Sequence, residues 1–290
     1  MQSRRSIAHA AFSVLLLFNV CLVGALEGAD KVSATVLVKD SLAAPRQQGT
    51  IEAKLLAKGL LRDSPLGGEP VELVINGATA ATGMTGGDGR AILSVVPTGR
   101  GLIPVQVRVG ASPRVSPAEG RANLVAWERR TPVLVVELSA LMEEPRSNGP
   151  LSGIASSLQQ ELRPMADAAD ELAKLSRFYY GIIYVATLPS GGDAFSTSDD
   201  ARNWLATHKF PSGFVLPLPP GEDAVGAKID ELHEAGWKTI KTGIGRSKAF
   251  AEAFLHRRLE AIVVPEPAKG EAPRKAKVAK DWKDVRKKLL

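Results

Sequence analysis

A carboxylate and a hydroxyl stand two residues apart where an apolar run ends. The stretch TPVLVVELSALMEE (131–144) places Glu137 and Ser139 after four consecutive aliphatic residues. A short apolar run of this kind is typical of a strand buried on both faces of a parallel sheet. Functional groups of such sheets lie beyond the carboxyl ends of the strands. Glu137 and Ser139 are therefore the first candidates for chemistry, and we ask whether they form an active site or the remnant of one.

A second candidate site is a turn between a predicted strand and a predicted helix. Gly245, Arg246, Ser247 and Lys248 occupy this turn. Free backbone N–H groups at a helix start, a hydroxyl and two cations can converge on an anion. The sequence therefore allows an anion-binding site at 245–248, with a plain strand-to-helix turn and solvated side chains as the alternative.

Other catalytic or metal-binding patterns are not found. His208, His233 and His256 each lie on a predicted helix without a partner at ligand spacing. The sequence has no G-x-S-x-G, Walker or H-E-x-x-H motif. Its single cysteine, Cys21, lies in the amino-terminal apolar run, so neither a disulfide nor a cysteine-ligated metal is expected in the remainder. We expect no metal site and no cofactor.

The candidate residues lie in a region where strand-like and helix-like segments alternate. This pattern predicts an α/β domain with a parallel sheet over 131–266. Pro164 is expected to mark a helix restart, and Thr197 with Asp200 suggests a capping box. The predicted strands are 133–138, 180–187, 214–218, 239–244 and 261–264, and the predicted helices run to 177 and over 197–208, 223–236 and 247–258.

The preceding region has a period of two. Alternating apolar residues between 31 and 127 are separated by turn signals such as Asn76-Gly77 and Gly86-Gly87-Asp88-Gly89. The pattern predicts an antiparallel β-sandwich over 27–128. The stretch 67–109, with its Gly-x-Pro-Val-x-Leu and Asp-Gly-x-Ala elements, resembles the bacterial immunoglobulin-like and transthyretin-like repeats of exported proteins. That resemblance implies an immunoglobulin-like fold that presents or spaces a neighbouring domain.

The α/β region resembles the haloacid dehalogenase (HAD) superfamily, in particular its lipin-type and actin-patch-type phosphatidate phosphatase branch. The resemblance rests on four segments in the family's order: VLVVELS (133–139), IIYVATLP (182–189) with the following ARNWLATHKFPSG (201–213), GAKIDELHEAGW (226–237) and TGIGRSKAFAEAF (242–254). It covers about residues 131–265.

The resemblance assigns roles to particular positions. The nucleophile position is Glu137, where the family has aspartate, and the acid/base position is Ser139. Thr187 is nearest to the hydroxyl position of the second strand, and Lys228 stands for the family lysine. Two positions that in the family help to hold Mg²⁺ are Arg246 and Phe250. With these carboxylates replaced, a hard cation lacks oxygen ligands, and phosphoryl transfer lacks its means of charge neutralisation.

The two ends of the chain suggest an exported protein. Arg4 and Arg5 precede an apolar run at 10–25, which predicts a signal peptide over 1–25. A retained anchor and lipidation at Cys21 are the alternatives.

The basic tail, 267–290, carries the whole net charge of +6. The rest of the chain is therefore near neutral, and no nucleic-acid partner is expected. Val278, Trp282, Val285 and Leu289 form one helical stripe in this tail, which predicts a flexible or docked helix or a peripheral membrane contact through 269–290.

The sequence as a whole therefore predicts two domains, an immunoglobulin-like sandwich and a HAD-like α/β unit. It predicts a secreted or periplasmic pseudoenzyme that binds or scaffolds an unknown protein or an anionic envelope component. The alternative is a divergent Mg²⁺-dependent phosphatase that acts on a phosphatidate-like lipid or another phosphomonoester and uses Glu137 as nucleophile or metal ligand. Glu137 beside a second carboxylate in a cleft would favour the enzyme.

Overall fold

The computed structural model describes residues 31–143 and 162–289. The predicted signal peptide, residues 1–25, and the loop predicted after the first α/β strand lie outside these ranges. Within them, no helix is both long enough and apolar enough to span a bilayer.

The amino-terminal unit is a sandwich of two β-sheets. In one sheet, β3 pairs with β1 along one edge and with β7 and β4 along the other, always antiparallel. The second sheet has the order β2-β9-β8-β5-β6 and is antiparallel except for the parallel pair of β2 and β9. The strands are β1 Ala34–Val38, β2 Ser41–Ala43, β3 Gly49–Ala57, β4 Ser64–Pro65, β5 Pro70–Ile75, β6 Ala78–Met84, β7 Arg90–Val95, β8 Gly101–Val109 and β9 Glu119–Ala126.

Period-two alternation explains why these strands form a sandwich. Along β7 every second residue is buried, and the same holds for the second half of β8. The inward side chains of the two sheets form one core, with Ile51 and Leu93 from the first sheet against Leu73, Val107 and Leu124 from the second. The sequence pattern predicted four of the nine strands, β1, β5, β7 and β8. It did not predict the other five, of which β2 and β4 are only three and two residues long and β6 consists mainly of small or polar residues.

The carboxy-terminal unit is a six-stranded parallel sheet with helices on both faces. The strand order is β12-β11-β10-β13-β14-β15, which corresponds to 3-2-1-4-5-6 within the unit and is the doubly wound order. The elements are β10 Val133–Glu137, α1 Ala168–Phe178, β11 Gly181–Thr187, α2 Ala194–Thr207, β12 Phe214–Leu218, α3 Glu222–Glu234, β13 Ile240–Gly245, α4 Lys248–Leu255, β14 Glu260–Val263, β15 Lys277–Val278 and α5 Trp282–Leu289. A 3-10 helix, Leu138–Leu141, follows β10.

The central strand β10 shows why this sheet needs helices on both sides. Leu134 and Val136 pack on one face, with α1, α2 and α5. Val133 and Val135 pack on the other face, with α3 and α4. All five residues of β10 are buried, which accounts for the unbroken apolar run in the sequence.

Two boundaries predicted from the sequence differ from the structure. The second helix begins at Ala194 and is capped by Asp193, whose carboxylate accepts from the backbone N–H groups of Phe195 and Ser196. The predicted capping box at Thr197 therefore lies inside the helix. The helix restart expected at Pro164 lies at Ala168, and the predicted helical sequence before residue 162 falls outside the described ranges.

The larger correction concerns the basic tail. Residues 267–290 were expected to follow the α/β domain, but β15 is the sixth strand of its sheet and α5 closes one of its faces. Trp282 and Val285 are fully buried, and the Trp282 indole N–H donates to the Ala140 carbonyl oxygen at 3.2 Å. Arg286 pairs with the buried Glu171. The apolar stripe of the tail thus serves the protein's own core, and the α/β unit extends to Leu289.

Candidate functional site

Glu137 lies at the carboxyl end of β10, where the strand order reverses between β10 and β13. Its side chain is buried, with the residue only 6% exposed. Oε2 accepts hydrogen bonds from the backbone N–H groups of Arg246 at 2.7 Å and Ser247 at 2.9 Å. Oε1 accepts from the Ser247 hydroxyl at 2.7 Å. The carboxylate therefore fills the crevice in which a doubly wound sheet ordinarily binds its ligand.

The local sequence produces this contact in a simple way. Strand β13 ends at Gly245, and Ser247 caps α4 by accepting from the Phe250 N–H at 3.2 Å. A Cβ atom on Gly245 would lie 2.3 Å from the Phe250 ring and 2.8 Å from Glu137 Oε2. Glycine thus allows the turn to approach the carboxylate closely. The positive end of the α4 dipole favours the negative charge of Glu137 at this place.

The predicted anion-binding donors accordingly have a partner within the chain. The N–H groups and hydroxyl that were expected to meet an external anion bind Glu137 instead. The Arg246 side chain donates to the Met142 carbonyl oxygen, and Lys248 Nζ lies 3.6 Å from Glu252. The backbone N–H groups of Arg246 and Ser247 and the Ser247 hydroxyl therefore have their acceptor within the chain.

The other predicted site residues do not gather around Glu137. Ser139 lies in the 3-10 helix, and its buried hydroxyl oxygen has no hydrogen-bond partner among the described residues. Thr187 is exposed at the end of β11. Lys228 lies on α3, where it pairs with Glu231 at 2.7 Å and lines a separate crevice with Lys39 and Asp40.

The residues at this crevice do not fit a magnesium ion. The positions that the HAD resemblance assigns to metal binding are Arg246, whose N–H is bonded to Glu137, and Phe250, which is buried against Phe254. In the described part of the chain, no three His, Cys, Asp or Glu side chains are grouped as metal ligands. A hard cation requires several oxygen ligands, which this set does not supply.

A cavity of about 540 Å³ opens next to the Glu137 site at the same edge of the sheet. Among the described residues, its walls carry Glu143, Glu266, Glu271 and one guanidinium, that of Arg246. At neutral pH these four described side chains have a net negative charge, which disfavours a phosphomonoester.

Sequence reasoning missed a second cluster, in which the two units meet. Asp40, at the end of β1, accepts from the N–H groups of Asn123 and Val215 and from the guanidinium of Arg202 at 3.1 Å. Burial raises the pKa of Asp40, and the positive charge of Arg202 and the backbone hydrogen bonds act in the opposite direction. Arg202 also donates to the carbonyl oxygens of Val38 and Arg121. Because Asp40 and Arg202 are 162 residues apart, no local pattern could have paired them.

A second cleft lies above this cluster. Its volume is about 530 Å³, and it runs between the sandwich and the α2–β12 region. Its polar lining combines four amide residues with three charged ones: Asn76, Gln106, Asn123 and Asn203, and Arg121, Asp199 and Arg202. Clefts of this size between domains are frequent binding sites.

Comparison with known proteins gives weak structural likenesses. No protein-family model matches the sequence, and no curated protein is significantly similar to it. Among solved structures, a D,D-heptose 1,7-bisphosphate phosphatase from Burkholderia thailandensis is 12% identical over 55% of this chain and 99% of its own, with a TM-score of 0.41. An L-2-haloacid dehalogenase is 13% identical over 55% of this chain and 100% of its own, with a TM-score of 0.36.

A third similarity covers 35% of this chain. The D00-D0 domain of intimin is 19% identical over that part and 51% of its own chain, with a TM-score of 0.23. The two neighbours that cover 55% of this chain are HAD-superfamily proteins. The strand order itself defines the doubly wound fold. Fold and site together define a β-sandwich joined to a doubly wound α/β unit whose switch-point crevice is filled by its own glutamate.

Proposed function

We propose that this chain is a HAD-like pseudoenzyme that acts as a binding or scaffolding protein at the cell envelope, in a secreted or periplasmic location. In this proposal the sandwich is immunoglobulin-like and the α/β unit derives from the phosphatase branch of the superfamily. One observation carries the non-catalytic role: the Glu137 carboxylate is held by three donors of its own chain.

The bonding of Glu137 opposes a role in phosphoryl transfer. A nucleophilic carboxylate must present an oxygen to the phosphorus atom, yet both Glu137 oxygens accept hydrogen bonds. The N–H groups at the start of α4 could stabilise the charge of a phosphoryl group, but they are directed at Glu137. Nucleophile and charge-stabilising donors thus satisfy each other, and attack would require breaking these bonds.

The electrostatics of the neighbouring cavity supports the same proposal. A phosphomonoester entering at this edge of the sheet would meet Glu143, Glu266 and Glu271. Phosphoryl transfer depends on cations that neutralise the developing charge, and Arg246 is the one cation among the described residues that line this cavity. The divergent phosphatase remains the alternative, and the same experiment tests it.

The cleft between the two units is the surface we assign to the binding role. Its polar lining combines amides with the charged residues Arg121, Asp199 and Arg202, and its apolar walls include Val74 and Phe210. The Asp40–Arg202 cluster beneath it fixes the two walls relative to each other. A partner bound there would contact both units at once.

The test is a phosphatase assay on the chain without residues 1–25, which keeps every described residue. The substrates are p-nitrophenyl phosphate and phosphatidate vesicles, each with Mg²⁺. We expect no turnover above the buffer rate and no change in E137Q, which keeps the length and one acceptor oxygen of the side chain. Turnover that disappears both with a chelator and in E137Q would overturn the proposal, provided that circular dichroism shows the variant folded.

A further inference from the structure

The β3–β4 hairpin ends in a loop, residues 58–63, that exposes two adjacent leucines. Ala57 and Ser64 are the last paired residues of the hairpin. Leu60 and Leu61 are fully exposed, with relative accessibilities of 106% and 102%. No other described large hydrophobic residue is more than 70% exposed. A protein ordinarily covers such side chains, so their position at a loop tip indicates contact with an apolar phase or partner.

The loop is closed by its own contacts rather than by packing of the leucines. The Gly59 N–H donates to the Asp63 carboxylate at 3.2 Å, and the Lys58 N–H donates to the Ser33 carbonyl oxygen at 2.9 Å. A Cβ atom on Gly59 would lie 2.1 Å from the Arg62 carbonyl oxygen, so the turn requires glycine. The backbone therefore holds Leu60 and Leu61 at the tip.

The charges beside the leucines are positive. Lys58 and Arg62 flank the pair, and both are exposed. Neither side chain forms an ion pair with another described residue, whereas Asp63 is engaged by the Gly59 N–H. A short apolar tip with cations at its base matches a membrane surface, because the leucines reach the acyl boundary while the cations meet anionic headgroups.

The loop also lies beside the place where the chain enters the described structure. Ser33, which accepts the hydrogen bond from Lys58, is the third described residue. Only residues 26–30 lie between the apolar run at 10–25 and the first described residue, Lys31. If that run is retained in a bilayer, or if Cys21 carries a lipid, the same end of the sandwich faces the membrane.

We propose that the loop at 58–63 is a membrane-contact loop that inserts Leu60 and Leu61 into the interface of an anionic phospholipid bilayer. The partner is a lipid surface rather than a protein. Leu60 and Leu61 are fully exposed, and Lys58 and Arg62 beside them form no ion pair with a described residue, so a bilayer can receive them without a pocket of matching shape. The inference rests on the envelope location in the proposed function and is independent of the state of Glu137. It moves the membrane contact from the basic tail, whose Trp282 and Val285 are buried, to the tip of the sandwich.

The first test is co-sedimentation of the chain without residues 1–25 with vesicles of phosphatidylglycerol and phosphatidylethanolamine. We expect binding that weakens as salt is raised and is much weaker on phosphatidylcholine vesicles. L60S/L61S should reduce the vesicle partition coefficient at least tenfold, and K58Q/R62Q should remove most of the salt dependence. The matched control is M84S/I92S, which alters two exposed apolar residues elsewhere on the sandwich and should leave binding unchanged.

A second measurement reports insertion directly. The indole introduced by L61W should be quenched by vesicles with brominated acyl chains. Absence of vesicle binding by the parent chain, equal losses in L60S/L61S and M84S/I92S, or binding without quenching would each overturn the proposal. A protein partner at this loop would give the first of these results. Because these readouts involve no turnover, they are separate from the phosphatase assay.

Discussion

The side chain of Glu137 joins two elements at the carboxyl edge of the parallel sheet. The family resemblance has aspartate at this position, and glutamate is one methylene longer. In the structure the longer side chain crosses from β10 to the start of α4, where it accepts from Arg246 and Ser247. It thereby bonds backbone N–H groups that a helix start otherwise leaves unpaired. The length of its side chain thus lets Glu137 link the end of β10 to the start of α4.

At this scale we predict that E137A lowers the free energy of unfolding by about 2–4 kcal/mol, because two backbone N–H groups and a hydroxyl lose their acceptor. S139A is the matched control: the Ser139 hydroxyl is buried without a described partner, so its removal should change stability by less than about 1 kcal/mol. Urea unfolding followed by circular dichroism measures both values. A stable E137A protein would mean that the bonds at the start of α4 contribute little.

At the scale of elements, the carboxy-terminal segment has a different role from the one its composition indicated. Its charge and apolar stripe predicted a flexible or docked helix or a membrane contact, and in the structure the helix is docked, with Arg286 paired to the buried Glu171. On the inward side Trp282 and Val285 complete the core of one sheet face, and Lys283 pairs with Asp167 at 2.9 Å. The apolar spacing was recognised from the sequence, but the surface it covers could not be.

We predict that W282A lowers the free energy of unfolding by about 3–5 kcal/mol, since it leaves a cavity where a large side chain was fully buried. K287Q changes an exposed residue of the same helix and should stay within about 0.5 kcal/mol of the parent. Denaturant unfolding, followed by tyrosine fluorescence and by far-ultraviolet circular dichroism, measures the free energy of unfolding of both variants. If W282A is as stable as K287Q, α5 does not belong to the core.

At the scale of the whole molecule, the contacts between the two units are those of a joined structure rather than a loose tether. Val125 belongs to the core on the α3–α4 face of the sheet, and Leu42, Leu102 and Trp127 of the sandwich side pack against it. Beside this apolar contact, Asp40 and Arg202 bond across the junction. Lys54 of β3 pairs with Asp193 at the start of α2 at 2.9 Å.

We predict that D40A lowers the free energy of unfolding by about 3–5 kcal/mol, because it leaves Arg202 buried without the charge of Asp40 and two backbone N–H groups without an acceptor. The control is E52A: Glu52 pairs with Lys39 on the surface and is 40% exposed, so its loss should cost less than about 1 kcal/mol. Urea unfolding checks both variants. Equal effects would show that the Asp40 cluster does not hold the units together.

The classes of the two units and the positions of most α/β strands follow from the amino-acid sequence, because periodicity is a local property of the chain. Apolar residues alternate in β5, β7 and β8, and unbroken apolar runs form β10 and β11. It also placed Glu137 and Ser247 at the ends of neighbouring strands, where chemistry is expected.

The partners of these side chains depend on the tertiary structure. Glu137 and Ser247 are 110 residues apart, and Asp40 and Arg202 are 162 apart. A hydrogen bond between such residues depends on the distance of a few atoms after the whole chain has packed, and no local pattern encodes that distance. For the same reason the burial of Trp282 and the full exposure of Leu60 and Leu61 could be read only once the neighbouring elements were in place.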